Sequence, residues 1–245
     1  MYKRITHKIV EEHFAHPVAN QIKAGLHPLP YDPAHPDAPY TYDPMHPVPK
    51  PMALSITAQS KLRSECRKLW SNFLWRTRSA MVSAMDGLQD ASVLAAQLDT
   101  DITRIAEEVK LYFGESASTE LATHLRNITT IITDIGKATK VGKDVTALKT
   151  ALATHITAMA EQLNKLVPSV WSAAAVKDIW TKLTDAWIYQ AKVRTIKDWT
   201  GDLTSMDIAH DLMLAPFNGP VNIPAGFSDV FANGIIKQFP DKFKV

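Results

Sequence analysis

The chain has 245 residues, of which 46% are hydrophobic and 21% are charged, and its formal net charge is +2. This length allows one large domain or two small ones, and the composition excludes a chain that is disordered throughout. A net charge so close to zero does not indicate nucleic acid or an anionic membrane as a partner. The single cysteine, Cys66, excludes a fold that depends on an intrachain disulfide.

Targeting segments are not evident in the sequence. The stretch after Lys3 and Arg4 lacks the apolar core of a signal peptide. No window approaches 18 apolar residues, which is the length that a membrane-spanning helix requires. We therefore expect synthesis inside the cell, no secretion by a signal peptide and no membrane span.

Proline divides the chain into two parts. Ten of the fifteen prolines lie between Pro17 and Pro51, whereas none lies between Met52 and Val167. Helix interiors exclude proline because it lacks the N–H and clashes with the preceding turn. The sequence therefore predicts an extended, proline-rich N-terminal arm over residues 1–52, with a short helix near 6–15, followed by a helical body over 53–245.

The N-terminal arm contains an internal repeat. The hexapeptide YDPAHP at 31–36 recurs as YDPMHP at 42–47, and its prolines fall every third residue. A polyproline II helix has three residues per turn, so the prolines of each repeat share one edge. Such a stiff segment loses little conformational entropy when it docks on a partner. The predicted partner-binding residues are Tyr31, Pro33, His35, Pro36, Tyr40, Tyr42, Pro44, His46 and Pro47.

In chain order, the first predicted element of the body is a long helix that Thr57 caps and Gly87 ends. The later helices are predicted from the same spacing of apolar residues, between capping residues, glycines and Pro168. They span 91–98, 102–113, 119–135, 145–167 and 173–199, with shorter ones near 203–214 and 228–239. We predict an all-α fold: an antiparallel helical bundle of about five long helices with an irregular loop at 216–226.

Metal binding is the main alternative that the sequence offers. Helical bundles hold di-iron sites with a Glu-x-x-His motif on each of two helices, but here Glu120 and His124 are four residues apart. The alternative function is a metal-binding helical-bundle enzyme that uses His124, His155 and His210. Its metal site would combine Glu120, His124, His155, Asp207 and His210. No nucleophile elbow, P-loop or dinucleotide-binding glycine motif is present, so we predict no catalytic residues, no cofactor and no enzymatic activity.

Basic residues and tryptophans suggest two further kinds of contact. Lysines cluster near Lys140 and arginines follow the first long helix, which leaves a nucleic-acid-associated protein as a second alternative. The six tryptophans all lie in helical stretches or at their ends, and most are expected to be core anchors. One or two that face outward could receive the N-terminal arm of a neighbouring copy, because aromatic grooves bind polyproline II segments.

Three segments carry a resemblance to known proteins: WSNFLWRTRSAM at 70–81, LDTDITRIAEEVKLYFG at 98–114 and NGIIKQFPDKF at 233–243. They resemble an uncharacterised family of helical-bundle proteins of large DNA viruses and spore-forming bacteria. The resemblance covers roughly 55–245 and implies a helical bundle without an established catalytic activity. The N-terminal arm has no counterpart in that family, and the loop at 216–226 interrupts a final helix that runs through in its members.

The arm, the body and the resemblance together favour a structural or assembly protein. The hypothesis is a minor capsid or cement-type component of a virion, whose N-terminal arm straps onto neighbouring subunits. Its expected partners are other protein subunits, and its expected location is the virion or the cytoplasm. Fold-level likeness does not establish function, so this remains a hypothesis.

Overall fold

The computed structural model of the chain describes residues 57–215 and 226–244. These residues form six α-helices and one 3-10 helix and contain no strand, which confirms the all-α prediction for this part of the chain. The elements are α1 Ala58–Asp86, α2 Ala91–Lys140, α3 Thr146–Leu166, α4 Ala173–Thr195, α5 Trp199–Leu214, α6 Phe227–Gln238 and the 3-10 helix Pro240–Phe243. The N-terminal arm, its predicted helix near 6–15 and nearly all of the predicted loop at 216–226 lie outside the described residues.

Both predicted ends of α1 are confirmed. The Thr57 hydroxyl accepts a hydrogen bond from the backbone N–H of Ser60 at 3.2 Å, as an N-cap should. At the other end, Gly87 adopts a left-handed conformation with φ 65°, and the N–H of Leu88 donates to the carbonyl of Ser83 at 2.9 Å. This glycine cap satisfies carbonyls that the last helical turn leaves open.

Two predicted boundaries are wrong. Helix α2 runs straight through Thr100, whose hydroxyl donates to the carbonyl of Ala96 and is therefore satisfied inside the helix. The helix predicted for 173–199 ends already at Thr195, and a new helix begins at Trp199. Asp198 caps this new helix because its carboxylate accepts from the N–H of Gly201 at 2.9 Å.

Gly114 turns α2 into a hairpin, as the predicted helix end there anticipated. Its backbone has φ 84° and ψ 177°, outside the helical region. The hydroxyl of Ser118 donates to the carbonyl of Ala106 at 2.7 Å, although a straight helix would separate residues twelve apart by about 18 Å. Arg126 likewise reaches Asp99 at 2.5 Å. The 91–113 and 115–140 halves of α2 therefore lie side by side and antiparallel.

Trp70 of α1 is the centre of the aromatic core. Its ring centroid lies 5.0 Å from that of Phe227, 5.4 Å from Phe231 and 5.9 Å from Trp180. All of these contacts are edge-to-face, the geometry that aromatic rings favour. One fully buried side chain therefore joins α1, α4 and α6.

Helix α6 is held by one close approach and one ion pair. Gly234 lies so close to the indole of Trp171 that a Cβ atom would collide with the ring, and the indole N–H donates to the carbonyl of Val230 at 3.0 Å. Arg67 binds the fully buried carboxylate of Asp229 through two hydrogen bonds of 2.8 and 2.6 Å. Within the described ranges, none of the helices combines the length and hydropathy needed to span a membrane.

Substituting Gly114 should weaken the fold through its backbone alone. We expect Gly114→Ala to lower the free energy of unfolding by about 1–3 kcal/mol, because this combination of φ and ψ is almost restricted to glycine. No atom lies within 4 Å of the added Cβ, so a steric clash would not contribute. Urea denaturation measures the change.

Gly87→Asn is the matched control, because asparagine tolerates the ordinary left-handed conformation of Gly87 and should cost only a few tenths of a kcal/mol. Gly114→Asn should not be tolerated in the same way. Equal losses for the two asparagine variants would contradict this explanation of the α2 hairpin.

Candidate functional site

The nine residues predicted to bind a partner all precede the described part of the chain. They are Tyr31, Pro33, His35, Pro36, Tyr40, Tyr42, Pro44, His46 and Pro47. Their role therefore stays a prediction.

The structure brings together some of the predicted metal ligands. The rings of His124 and His155 lie with their centroids 6.0 Å apart, where the 115–140 half of α2 packs on α3. Burial lowers the pKa of His124; the nearby Glu120 opposes this shift, and His155 adds to it. The Nδ1 atom of His124 is buried without a hydrogen-bond partner.

The other two candidate ligands, Asp207 and His210, lie on α5, which packs on α1, α4 and α6. His210 is half exposed, and its Nδ1 lies 3.5 Å from the carboxylate of the adjacent Asp211. In the ranges 57–215 and 226–244, no cluster of three or more His, Cys, Asp or Glu side chains is arranged to hold a metal ion. The structure thus does not join the five predicted ligands into one site.

The basic residues that suggested nucleic acid are largely occupied. On α1, four arginines each contact an acidic or amide partner, and two of the clustered lysines pair with aspartates. The pairs are Arg63 with Asn233, Arg67 with Asp229, Arg76 with Asp101, Arg78 with Asp202, Lys137 with Asp134 and Lys140 with Asp86. Five of these six cations therefore pair with a carboxylate, which lowers their attraction for phosphate groups, whereas Arg63 contacts a neutral amide.

Cys66 lies in the core. It is fully buried, and its pKa is raised chiefly by this burial and further by Glu108. Because the thiolate is the reactive form of cysteine, a buried thiol with a raised pKa is inert. Cys66 therefore acts as a small apolar side chain.

Asp202 organises the junction of α1, α4 and α5. Asp202 is 5% exposed, and its carboxylate accepts from Arg78 at 3.1 Å, from Arg194 at 2.6 Å and from the side-chain amide of Gln190 at 2.5 Å. A buried carboxylate is stable only with partners of this kind. Asp202 thereby fixes the position of the Arg194 guanidinium.

A pocket of about 280 Å³ opens beside Arg194. It lies where the C-terminal ends of α1, α2 and α4 meet the beginning of α5. We call it the Trp199 pocket; it is lined by Met85, Asp86, Lys140, Arg194, Thr195, Lys197 and Trp199. Asp86 links its walls, because it lies 2.7 Å from the Lys140 ammonium and 3.8 Å from the Arg194 guanidinium.

Trp199 gives this pocket an apolar surface. Four of the six tryptophans are buried in the core, as predicted, whereas Trp199 is 55% exposed and Trp75 is 47% exposed. The Arg194 guanidinium lies 5.3 Å from the centroid of the Trp199 ring, within the range of a cation–π contact. The indole is therefore held in place yet open to a partner.

Lys197 occupies a position that favours glycine. Its φ is 59°, and it is the non-glycine residue with positive φ in the described ranges. The N–H of Asp198 donates to the carbonyl of Val193 at 2.9 Å, which makes a glycine-type cap at the end of α4. A lysine in this conformation costs about 1–2 kcal/mol relative to glycine. Lys197 thus places a cation in the lining of the pocket even though glycine would fit the backbone conformation there at a lower free energy.

The charge of the Trp199 pocket is unbalanced. Three cations line it: Lys140 pairs with Asp86, and Arg194 pairs with Asp202, which is not part of the lining. Over 57–215 and 226–244, Lys197 has no ion-pair partner. The pocket combines positive charge with an exposed aromatic face, which suits a segment that carries both a carboxylate and an apolar ring.

Sequence reasoning did not find this pocket. Trp199 was placed at a helix end, but Asp86 and Lys140 lie more than fifty residues earlier in the chain. Only the fold brings them together. A weak signal was available in RTIKDW at 194–199, where two cations precede an indole within five residues.

A larger groove of about 560 Å³ lies between α1 and the two halves of α2. Its floor consists of small side chains such as Ala80, Ala84 and Ala95. Its charged lining residues pair with each other, Arg126 with Asp99 at 2.5 Å and Lys137 with Asp134 at 3.2 Å. This groove offers less specific chemistry than the Trp199 pocket.

Comparison with known proteins finds no matching family model, no matching curated protein and no matching solved structure. The resemblance carried by the segments 70–81, 98–114 and 233–243 therefore stays a prediction. The function has to be inferred from the Trp199 pocket and from the composition of the N-terminal arm.

Removing the charge of Asp202 should destabilise the junction of α1, α4 and α5. We expect Asp202→Asn to lower the free energy of unfolding by about 2–4 kcal/mol, because Arg78 and Arg194 would lose their shared counter-charge. Thermal or urea denaturation measures the loss. Asp211→Asn, at a carboxylate that is 71% exposed, is the control and should change stability by less than about 0.5 kcal/mol. Equal effects of the two variants would contradict the structural role of Asp202.

His124 should make the fold sensitive to mild acid. Because its pKa is lowered in the folded state, the unfolded chain takes up the proton first, and stability declines as the pH falls below about 6.5. We expect His124→Gln to lose less stability than the unsubstituted protein between about pH 7.5 and about pH 5.5. Urea midpoints at the two pH values test this, with His210→Gln as an exposed control. An unchanged pH dependence in His124→Gln would refute it.

Proposed function

We propose that this chain is a structural protein of a large assembly, in which the helical body is one subunit and the N-terminal arm straps onto neighbouring subunits. The observation that carries the proposal is that the buried apolar core is built from all six described helices. Because the helical body has a core of its own, it does not need residues 1–52 to complete that core. We propose that these residues bind surfaces of other subunits instead.

The packing of the body supports this division. Trp70, Trp171, Trp180 and Trp187 are each at most 1% exposed; Trp70 lies on α1, Trp180 and Trp187 lie on α4, and Trp171 lies just before α4. Burial of aromatic side chains of this size is a major source of folding stability. We propose that the helices form an antiparallel bundle of about five long helices, of which the α2 hairpin is one antiparallel pair.

The composition of the N-terminal arm supports the same function. Residues 28–52 would reach roughly 75 Å as a polyproline II helix at about 3.1 Å per residue, which is longer than a small domain is wide. Tyrosine, proline and histidine supply contact area with little rotamer entropy to lose. A strap of this kind is suited to holding subunits together.

The placement in a virion, as a minor capsid or cement-type protein, follows from the resemblance to proteins of large DNA viruses. The proposed partners are capsid or other assembly subunits, and the proposed location is the virion or the cytoplasm of the host cell. We propose no catalytic activity and no cofactor.

A metal-binding helical-bundle enzyme is the second candidate. The observation in its favour is the His124–His155 pair. Elemental analysis of the purified full-length protein tests it. A stoichiometric metal that is lost in His124→Ala would support this candidate, and a metal-free protein would end it.

Deletion of residues 1–52 should separate folding from assembly. We expect the remaining chain to stay folded and soluble, because its core comes from the described helices, and to lose incorporation into its assembly. Circular dichroism and co-purification with the assembly measure the two properties. Normal incorporation of the shortened chain would contradict the proposed function.

A further inference from the structure

We propose that the Trp199 pocket of one copy binds the proline-rich repeat of a second copy's N-terminal arm. A proline of the repeat would pack on the Trp199 indole, and the aspartate before it would pair with the cations of the pocket. This inference rests on the proposed assembly function and names the acceptor that the arm uses.

The aromatic part of the pocket fits a proline-rich ligand. Domains that recognise polyproline II segments do so with exposed, rigid aromatic side chains. Trp199 is the most exposed tryptophan among the described residues, and the Arg194 cation holds its ring from one side. Arg194 is itself fixed by the buried Asp202, so little ordering is required when a ligand arrives.

The charges of the arm and the pocket are complementary. Residues 28–52 carry the carboxylates of Asp32, Asp37 and Asp43 and a single cation, Lys50. In the pocket, Lys140 pairs with Asp86 and Arg194 with Asp202, so Lys197 is the lining cation that has no ion-pair partner in the described ranges. Electrostatic complementarity of this kind steers association and fixes the register of a docked segment.

The repeat and the pocket each combine a charge with an apolar ring. In both YDPAHP and YDPMHP the aspartate directly precedes a proline, so a carboxylate and an apolar ring come from neighbouring positions. On the pocket side, the cation of Lys197 and the indole of Trp199 both line the same pocket. An Asp-Pro step therefore carries the two groups that match them.

The size of the pocket also favours a short anchor. At about 280 Å³ it falls just below the range of about 300–1,000 Å³ that is typical of small-molecule sites. An anchor of one or two side chains from a longer strap fits such a volume. The backbone cost at Lys197 is explained if its ammonium is needed to bind this anchor.

The proposed function makes a second copy the donor. An arm that docks on its own body joins no subunits, whereas an arm that enters the Trp199 pocket of a neighbouring copy links the two. The mixing experiment below distinguishes the two cases.

Self-association of the full-length protein tests the proposal. Because the arm of one copy enters the pocket of the next, the contact is head-to-tail, and sedimentation velocity should show oligomers that grow with concentration. We expect Trp199→Ala to weaken self-association by at least about tenfold, as loss of an interface aromatic anchor does. Trp75→Ala, at the other exposed tryptophan, is the matched control and should leave self-association within about twofold.

Lys197→Gly separates binding from folding. Glycine suits the left-handed backbone at this position, so the variant should be as stable as the unsubstituted protein or more so. It should nevertheless weaken self-association, by about threefold or more, because a pocket cation is lost. Unchanged association of both Lys197→Gly and Trp199→Ala would overturn the pocket assignment.

Mixing two variants tests whether the donor is a second copy. A Trp199→Ala chain keeps its arm, and an Asp32→Asn/Asp43→Asn chain keeps its pocket, so each should self-associate poorly alone. Their mixture should restore a one-to-one pair. Failure of the mixture to pair, or a full-length protein that stays monomeric at every concentration, would overturn binding between copies.

These outcomes can be told apart from failure of the proposed function. If deletion of 1–52 abolishes incorporation while Trp199→Ala associates normally, the assembly function stands and the Trp199 pocket is the wrong acceptor. If the deleted chain still incorporates, the assembly function itself fails.

Discussion

The buried carboxylate of Asp202 is the constraint on which the functional surface depends. It binds Arg78 from α1 and Arg194 from α4, and it lies near the start of α5. Because Arg194 is held there, its guanidinium also contacts the Trp199 ring and approaches Asp86. A single desolvated charge thus determines how three helices meet and where the exposed indole lies. Such a site is rigid before a partner arrives, which reduces the entropy cost of binding.

Local sequence signals predicted the helices well where the chain itself sets their ends. Thr57, Gly87 and Gly114 act through hydrogen bonds or backbone angles within a few residues, so they can be read without the fold. The break expected near Thr100 failed because a threonine hydroxyl can bond inside a helix as well as at its start. The junction at 196–198 was missed because a lysine there adopts the conformation usually signalled by glycine.

The Trp199 pocket could not be predicted, since its walls come from distant parts of the chain. Asp86, Lys140 and Arg194 meet only after α1, α2 and α4 have packed. The arrangement of the predicted metal ligands depends on the fold for the same reason: helix packing places His124 beside His155, whereas His210 lies on another helix. The distribution of proline did predict a contrast between a proline-rich arm and a helical body. The structure shows that the described helical body buries four of the six tryptophans.

The most direct test of the account is a site-specific cross-link between two isotopically distinct copies. A photoreactive benzoylphenylalanine in place of Tyr31 or Tyr42 adjoins the Asp-Pro step of either repeat. In a mixture of labelled and unlabelled full-length protein, mass spectrometry should find the arm of one copy joined to residues 194–199 of the other. Cross-links that form only within one copy, or only to surfaces remote from Trp199, would contradict it.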